Sequence, residues 1–170
     1  MRKEWLWTLL TAALIGWAAC QSEGDRGGSA SEAEAVDLKK ELPGAWQTIR
    51  INVAVNTADG RDTFVMNELT EEVWSRAFGM QPPVYYFQPD QKYRVEHRTL
   101  NDDLFSLERG IWNVFGDTLM LITDSATYQY RVRLRDGMAS FRGFRDWDED
   151  GQEDDEYQGV FRLIGLDTSE

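Results

Sequence analysis

The feature that most constrains this chain is a two-residue hydrophobic alternation, broken by turn signals at intervals of about ten residues. In WQTIRINVAV, Ile49, Ile51, Val53 and Val55 alternate with Thr48, Arg50, Asn52 and Ala54. Successive side chains of a strand point to opposite faces, so this period predicts a half-buried strand. VYYFQ (84–88) and KYRVEHRTL (92–100) repeat it, joined by the short turn Pro89-Asp90-Gln91. GIWNVFGDTLMLIT (110–123) reads as two strands turned at Gly116-Asp117. TYQYRVRLRDGMASFRGF (127–144) reads as two more around Asp136-Gly137, a strong two-residue hairpin signal. EYQGVFRLIGL (156–166) closes the series. Serial hairpins of this kind define an all-β meander, sandwich or barrel. One segment has a different period. In LTEEVWSRAFG (69–79), Leu69, Val73, Trp74, Ala77 and Phe78 share a helical face, Glu71 and Glu72 occupy the first turn, and Gly79 is placed to stop it. One short helix is expected there.

Between the last two predicted strands lies RDWDEDGQEDDEYQ (145–158), with eight carboxylates from Asp146 to Glu156. Charges this dense repel, so the segment is either a solvated turn or the cradle of a cation. Asp146, Asp148 and Asp150 follow D-x-D-x-D-G spacing, with Gly151 next and Asp154 three beyond. The run resembles calcium loops, in which alternate carboxylates turn toward one centre and the glycine permits the sharp bend. It departs from the EF-hand, because Tyr157 stands where that loop ends in a bidentate Glu and strands flank it. The closer resemblance is to D-x-D-x-D-G-x-x-D loops of extracellular proteins outside that family. It implies a structural Ca²⁺ held by Asp146, Asp148, Asp150 and Asp154, a carbonyl from Gln152, and a closing carboxylate from Asp155 or Glu156.

The N-terminus MRKEWLWTLLTAALIGWAAC places two basic residues before an apolar run, Trp5 to Ala19, that ends at Cys20. That run is shorter than the roughly 20 residues needed to span a bilayer, and it reads as a secretory signal peptide. Cys20 is the single cysteine, and Ala18-Ala19-Cys20 resembles the lipobox of bacterial lipoproteins, with Trp17 where Leu is usual. The resemblance implies residues 1–19 as signal peptide, a lipidated Cys20 and membrane attachment through its lipid. Ser22 in place of Asp two residues later leans toward the outer membrane of the cell envelope. Residues 20–36, rich in Gly, Ser, Ala and Glu, read as a flexible tether, which leaves 37–170 as the folded domain. The formal net charge of −12 argues against nucleic acid and anionic membrane surfaces as partners.

Nothing in the motifs points to an enzyme, and no catalytic residue is assigned. His97 is the only histidine and falls in a predicted strand on the face of Tyr93 and Val95. No Gly-x-Ser-x-Gly elbow is present, and the sole thiol is taken up by the lipobox.

LPGAWQ (42–47) resembles the Gly-x-Trp opening strand of lipocalins and their bacterial relatives. GIWNVFGDTLML (110–121) is similar to a strand pair of small lipocalin-like lipoproteins of the Bacteroidota type. VYYFQPDQKY (84–93) resembles their Tyr-x-Phe…Asp-Gly-x-Tyr hairpin, with Gln91 where Gly is usual. The order of the three elements matches as well. The resemblance implies an antiparallel up-and-down barrel of about eight strands, with room for packed side chains or one small ligand. Two functions follow from different classes. One is a lipoprotein that holds a small apolar ligand or a lipid in the barrel. The other is a calcium-stabilised structural or interaction module whose barrel is filled. Trp46, Trp74, Tyr85, Phe87 and Trp112 could line a cavity, but their residue types favour a solid core.

Overall fold

The computed structural model describes residues 36–57, 61 and 63–166. The predicted signal peptide, Cys20 and the tether up to residue 35 lie outside the described residues. The first described elements are a four-residue helix α1 (Leu38–Glu41), a long strand β1 (Gly44–Val55), a strand β2 (Val65–Thr70) and a helix α2 (Glu71–Phe78). Seven strands follow: β3 (Val84–Phe87), β4 (Lys92–Arg98), β5 (Leu104–Phe115), β6 (Thr118–Ile122), β7 (Thr127–Arg135), β8 (Met138–Arg145) and β9 (Asp155–Gly165).

All strand pairings are antiparallel. From β3 to β9 each strand pairs with the next in sequence, and β1 closes the ring by pairing with both β3 and β9. The result is the predicted up-and-down barrel of eight strands, with β2 as a ninth outside the ring. β3 covers only Gly44–Gln47 of β1, and β2 takes the pairing of Arg50–Val55. The predicted hairpins stand where the turn residues place them. Asp136 and Gly137 both have positive φ, 51° and 72°, which matches the right-handed twist of the strands they join.

Three local features differ from the sequence reading. β5 begins at Leu104, six residues before the predicted Gly110, because its first half pairs with the second half of β4. β2 has no clean alternation and was not expected. In β1 a register shift between Thr48 and Arg50 moves the phase by one residue, so Thr48 is fully buried and Ile49 is not. Trp46 and Thr48 therefore face inward before the bulge, and Ile51, Val53 and Val55 after it.

α2 confirms the helical period. Thr70 caps it by accepting the Val73 N–H, and Gly79 ends it at φ 63°. Its Trp74 packs against the barrel core and against Phe78 at 5.2 Å between ring centres. α1 closes the barrel end where β1 starts. Leu38 and Leu42 are buried in the core there, and the Leu42 carbonyl accepts the Trp46 indole N–H at 2.8 Å. The second Gly-x-Trp is anchored in the same way, with Trp112 donating to the Gln88 carbonyl at 3.0 Å. Above α1 the interior is a solid stack of rings: Phe87 contacts Tyr93, Trp112 and Phe141, and Phe141 contacts Phe161 at 4.6 Å. The half of the barrel near α1 is therefore filled by aromatic side chains.

Candidate metal centre and the open barrel end

The acidic loop joins β8 to β9 at the end of the barrel opposite α1. Its anchor is Asp155, the first residue of β9, whose side chain faces inward and is 1% exposed. The carboxylate accepts the Trp147 backbone N–H at 2.7 Å and the Asn56 backbone N–H at 3.3 Å. It thereby ties the loop to the end of β1. The Asn56 side chain adds a second tie by donating to the Asp154 carbonyl at 2.7 Å.

Asp146, Asp148 and Asp155 each bring one carboxylate oxygen within 4.8 Å of the others. Oxygens bound to one Ca²⁺, at metal–oxygen distances near 2.4 Å, lie no more than about 4.8 Å apart, so the three oxygens are close enough to share an ion. Asp146 carries the clearest sign of a missing partner. Its Oδ2 accepts the Gly151 N–H at 3.0 Å, while its Oδ1 is buried with no hydrogen bond. A buried carboxylate oxygen left unpaired is costly, and a cation would satisfy it. The donor set is hard oxygen throughout, which suits Ca²⁺ or Mg²⁺ rather than a softer metal. Gly151 has φ 91°, the bend that lets Asp146 reach back across the loop.

The other candidate ligands stand elsewhere. Asp150 and Asp154 converge on the Thr57 hydroxyl, at 3.2 and 3.3 Å. Asp150 also accepts the Gln152 backbone N–H at 2.8 Å and its side-chain amide at 3.0 Å. Those bonds, the backbone one foremost, hold the Asp150 carboxyl below its ordinary pKa. Gln152 is thus engaged with Asp150 through its nitrogens, and the Asp150 carboxylate lies outside the three-carboxylate group. Glu156 pairs with Phe144 and Ala54 on the outer face of the sheet and is exposed. Of the two candidates for the closing carboxylate, Asp155 is the one that faces the cluster. Asn56 and Thr57 had no sequence signal, because their role depends on β1 ending beside the loop.

The barrel end above the ring stack is differently lined. Cross-strand partners share a face, so the register identifies the inward residues. Glu108 stands opposite Val95, Ser106 opposite His97, Tyr128 opposite Leu121 and Arg145 opposite Asp155. Val95, Leu121 and Asp155 are buried in the interior, whereas Ser106 and Glu108 are solvent-exposed and His97, Tyr128 and Arg145 half-buried. Inward-facing side chains that water reaches mark this end of the barrel as open rather than packed shut, and we refer to it as the chamber. Its floor is phenolic: the Tyr130 and Tyr157 rings meet at 5.3 Å, tilted by 50°, and Tyr85 joins them from β3, edge-on to Phe161 at 5.0 Å. Burial pushes the pKa of Tyr85, Tyr93, Tyr130 and Tyr157 upward, so all four are neutral hydroxyls near pH 7. On one wall the Arg145 guanidinium lies 4.2 Å over the Tyr128 ring and 5.5 Å from that of Tyr157. Across the barrel, the Glu108 carboxylate accepts the Tyr93 hydroxyl at 2.9 Å.

His97 shares the inner face with Tyr93 and Val95, as the alternation predicts. Burial lowers its pKa and the Glu108 charge partly opposes this, so the ring is neutral near pH 7.

No known protein-family model matches the chain, and no curated protein is similar to it at a significant level. What the fold and site define is a class: a closed eight-stranded antiparallel barrel with one filled end, one open polar end, and a carboxylate cluster at the open rim able to hold a metal ion.

Proposed function

We propose that this chain is a lipid-anchored, lipocalin-like protein of the bacterial cell envelope that holds a small apolar or amphipathic molecule, such as a lipid, in the open half of its barrel. The observation that carries this reading is the contrast between the two halves. A barrel evolved only for rigidity gains from filling both ends, yet Ser106, Glu108, His97, Tyr128 and Arg145 face inward while reached by solvent. In the proposed function the acidic loop binds Ca²⁺ through Asp146, Asp148 and Asp155. The ion pins the β8–β9 connection to the end of β1 and does no chemistry. Even a weak extracellular-type site, with a dissociation constant on the order of 10⁻⁴–10⁻³ M, is occupied where calcium is abundant. The signal sequence and Cys20 support attachment through lipid, with the outer membrane as the destination. The protein is read as a non-enzyme.

The filled aromatic half favours the second reading, a structural module of the envelope that takes no ligand. One experiment separates them. The full chain is produced in a bacterium, purified from the membrane fraction, and its bound small molecules are extracted and weighed by mass spectrometry. A stoichiometric lipid-sized mass supports the ligand-binding reading, and its absence supports the structural one. In the same preparation Cys20→Ser is expected to leave the membrane fraction. Retention there would remove the lipid anchor from the proposal.

A further inference from the structure

The open chamber contains two opposite charges that do not neutralise each other. Among the described residues, Arg145 and Glu108 make no ion pair. Each faces inward, Arg145 from β8 and Glu108 from β5, three strands apart in the eight-strand ring. Arg145 is half-buried and lies over the Tyr128 ring at 4.2 Å and, nearer the edge of contact range, 5.5 Å from that of Tyr157. Glu108 has one neutral partner, the Tyr93 hydroxyl. The phenols between them are neutral donors and acceptors, so neither charge is cancelled by the floor. A guanidinium presents a planar fork of donors suited to a carboxylate or phosphate, and a carboxylate suits an ammonium. Elsewhere the same chain pairs its charges readily: on the outer face Glu96 accepts from both Arg94 and Arg98 at 3.0 Å. Among the described residues Arg109, Arg133 and Arg142 also make no ion pair, but they are exposed on the outer face, whereas Arg145 is half-buried and faces inward.

We propose that the chamber receives a small zwitterionic group, with its anion seated on Arg145 and its ammonium facing Glu108. This rests on the ligand-binding reading and deepens it. The ligand's polar end is dipolar, and any apolar portion lies on the ring surfaces or outside the mouth. The shared chemistry fits the head group of an aminophospholipid and also a free soluble zwitterion.

Phosphoethanolamine is a suitable probe, because ethyl phosphate carries its phosphate without the ammonium and ethanolamine its ammonium without the phosphate. The full chain, in millimolar Ca²⁺, is titrated with all three in a calorimeter. The expected result is phosphoethanolamine binding at least tenfold more tightly than either half. Glu108→Gln should then make phosphoethanolamine and ethyl phosphate equal. Arg145→Gln should abolish phosphoethanolamine binding, and Arg145→Lys should restore part of it. Glu108 is exposed, so its variant carries the test even if Arg145→Gln does not fold. Ethyl phosphate binding as tightly as phosphoethanolamine, a silent Glu108→Gln, or no binding of phosphoethanolamine to the wild type would overturn the proposal. Lysophosphatidylethanolamine identifies the source: a gain from its acyl chain assigns a lipid head group, and no gain assigns a soluble zwitterion. A lipid that co-purifies equally with wild type and both variants would overturn the zwitterion site and leave the ligand-binding barrel standing. No co-purified mass and no probe binding would remove both.

Discussion

Asp155→Ala and Asp148→Ala should differ in a way that separates the loop's two roles. Asp155 accepts two backbone N–H groups, from Trp147 at 2.7 Å and Asn56 at 3.3 Å, and is 1% exposed. Alanine leaves the Trp147 N–H without its partner and the exposed Asn56 N–H to water, against about 1–3 kcal/mol for a fully buried group. The longer Asn56 bond belongs at the low end, so a total loss of roughly 2–4 kcal/mol is expected. At ~3 °C per kcal/mol for a domain of this size, the melting temperature should fall by 6–12 °C even in chelator. Asp148 is half-buried and in the loop, and its removal relieves repulsion from its carboxylate neighbours while giving up contacts that include the Asp150 N–H at 3.3 Å. In chelator its variant should melt within about 0.5 kcal/mol of wild type. Calcium at 100 times its dissociation constant should add about 2.7 kcal/mol to wild type, near 8 °C, and nothing to either variant. The assay is a thermal melt by circular dichroism with and without chelator. An Asp155→Ala protein as stable as wild type in chelator refutes its anchoring role. A calcium shift that survives Asp148→Ala refutes the metal centre.

Other perturbations test the barrel. Gly110→Ala would place its Cβ 2.2 Å from the Ile122 carbonyl oxygen and 2.6 Å from Tyr93 Cε1, so a loss of about 3 kcal/mol or more in denaturant unfolding is expected. Gln91 sits at φ 68°, and Gln91→Gly should raise stability by about 0.5–1 kcal/mol by removing the left-handed strain. Burial raises the Glu96 carboxyl pKa, but the hydrogen bonds and charges of Arg94 and Arg98 outweigh it and hold it below the ordinary value of 4.5. The unfolded state then takes up the proton first as the medium is acidified. The contribution of Glu96 is complete above pH 4.5 and is lost as the pH falls through its lower folded value, so Glu96→Gln should flatten the stability profile in that range.

The sequence made the barrel legible wherever one face of a strand is buried and its turn residues are distinctive. The strands after Val84 and helix α2 fall in both classes. It failed where pairing rather than burial sets the strand. The start of β5 exposes Leu104, Phe105 and Ser106, so no buried face writes an alternation there. β2 runs Val65-Met66-Asn67-Glu68-Leu69-Thr70 with no buried residue, and it is a strand because β1 extends past β3 and needs a partner. The bulge at Thr48 was equally invisible, since an extra residue leaves the composition unchanged and only moves its phase. In the loop, the density of carboxylates gave the place of the cluster but not its membership. Spacing suggests that Asp146, Asp148 and Asp150 act alike, whereas Thr57, brought in from the far end of β1, draws Asp150 and Asp154 to a different centre.

The net charge of −12 describes the chain's average and conceals how its charges are distributed. The acidic loop gathers eight carboxylates at the rim, and the first inward position beside it is the cation Arg145, directly opposite Asp155 in the ladder. An anion approaching Arg145 from outside passes Asp146, Glu149 and Glu153, which line the same groove of about 500 Å³ at the β7–β8 rim. Without a cation in the loop these carboxylates repel it, so the proposed calcium centre and the proposed zwitterion site share one electrostatic problem. A zwitterion also meets that problem in part by itself, because its ammonium offsets part or all of the anion's charge past the rim. The acidity that argues against anionic surfaces as partners is thus compatible with a guanidinium kept for an anionic group, provided that group arrives already paired with its own ammonium.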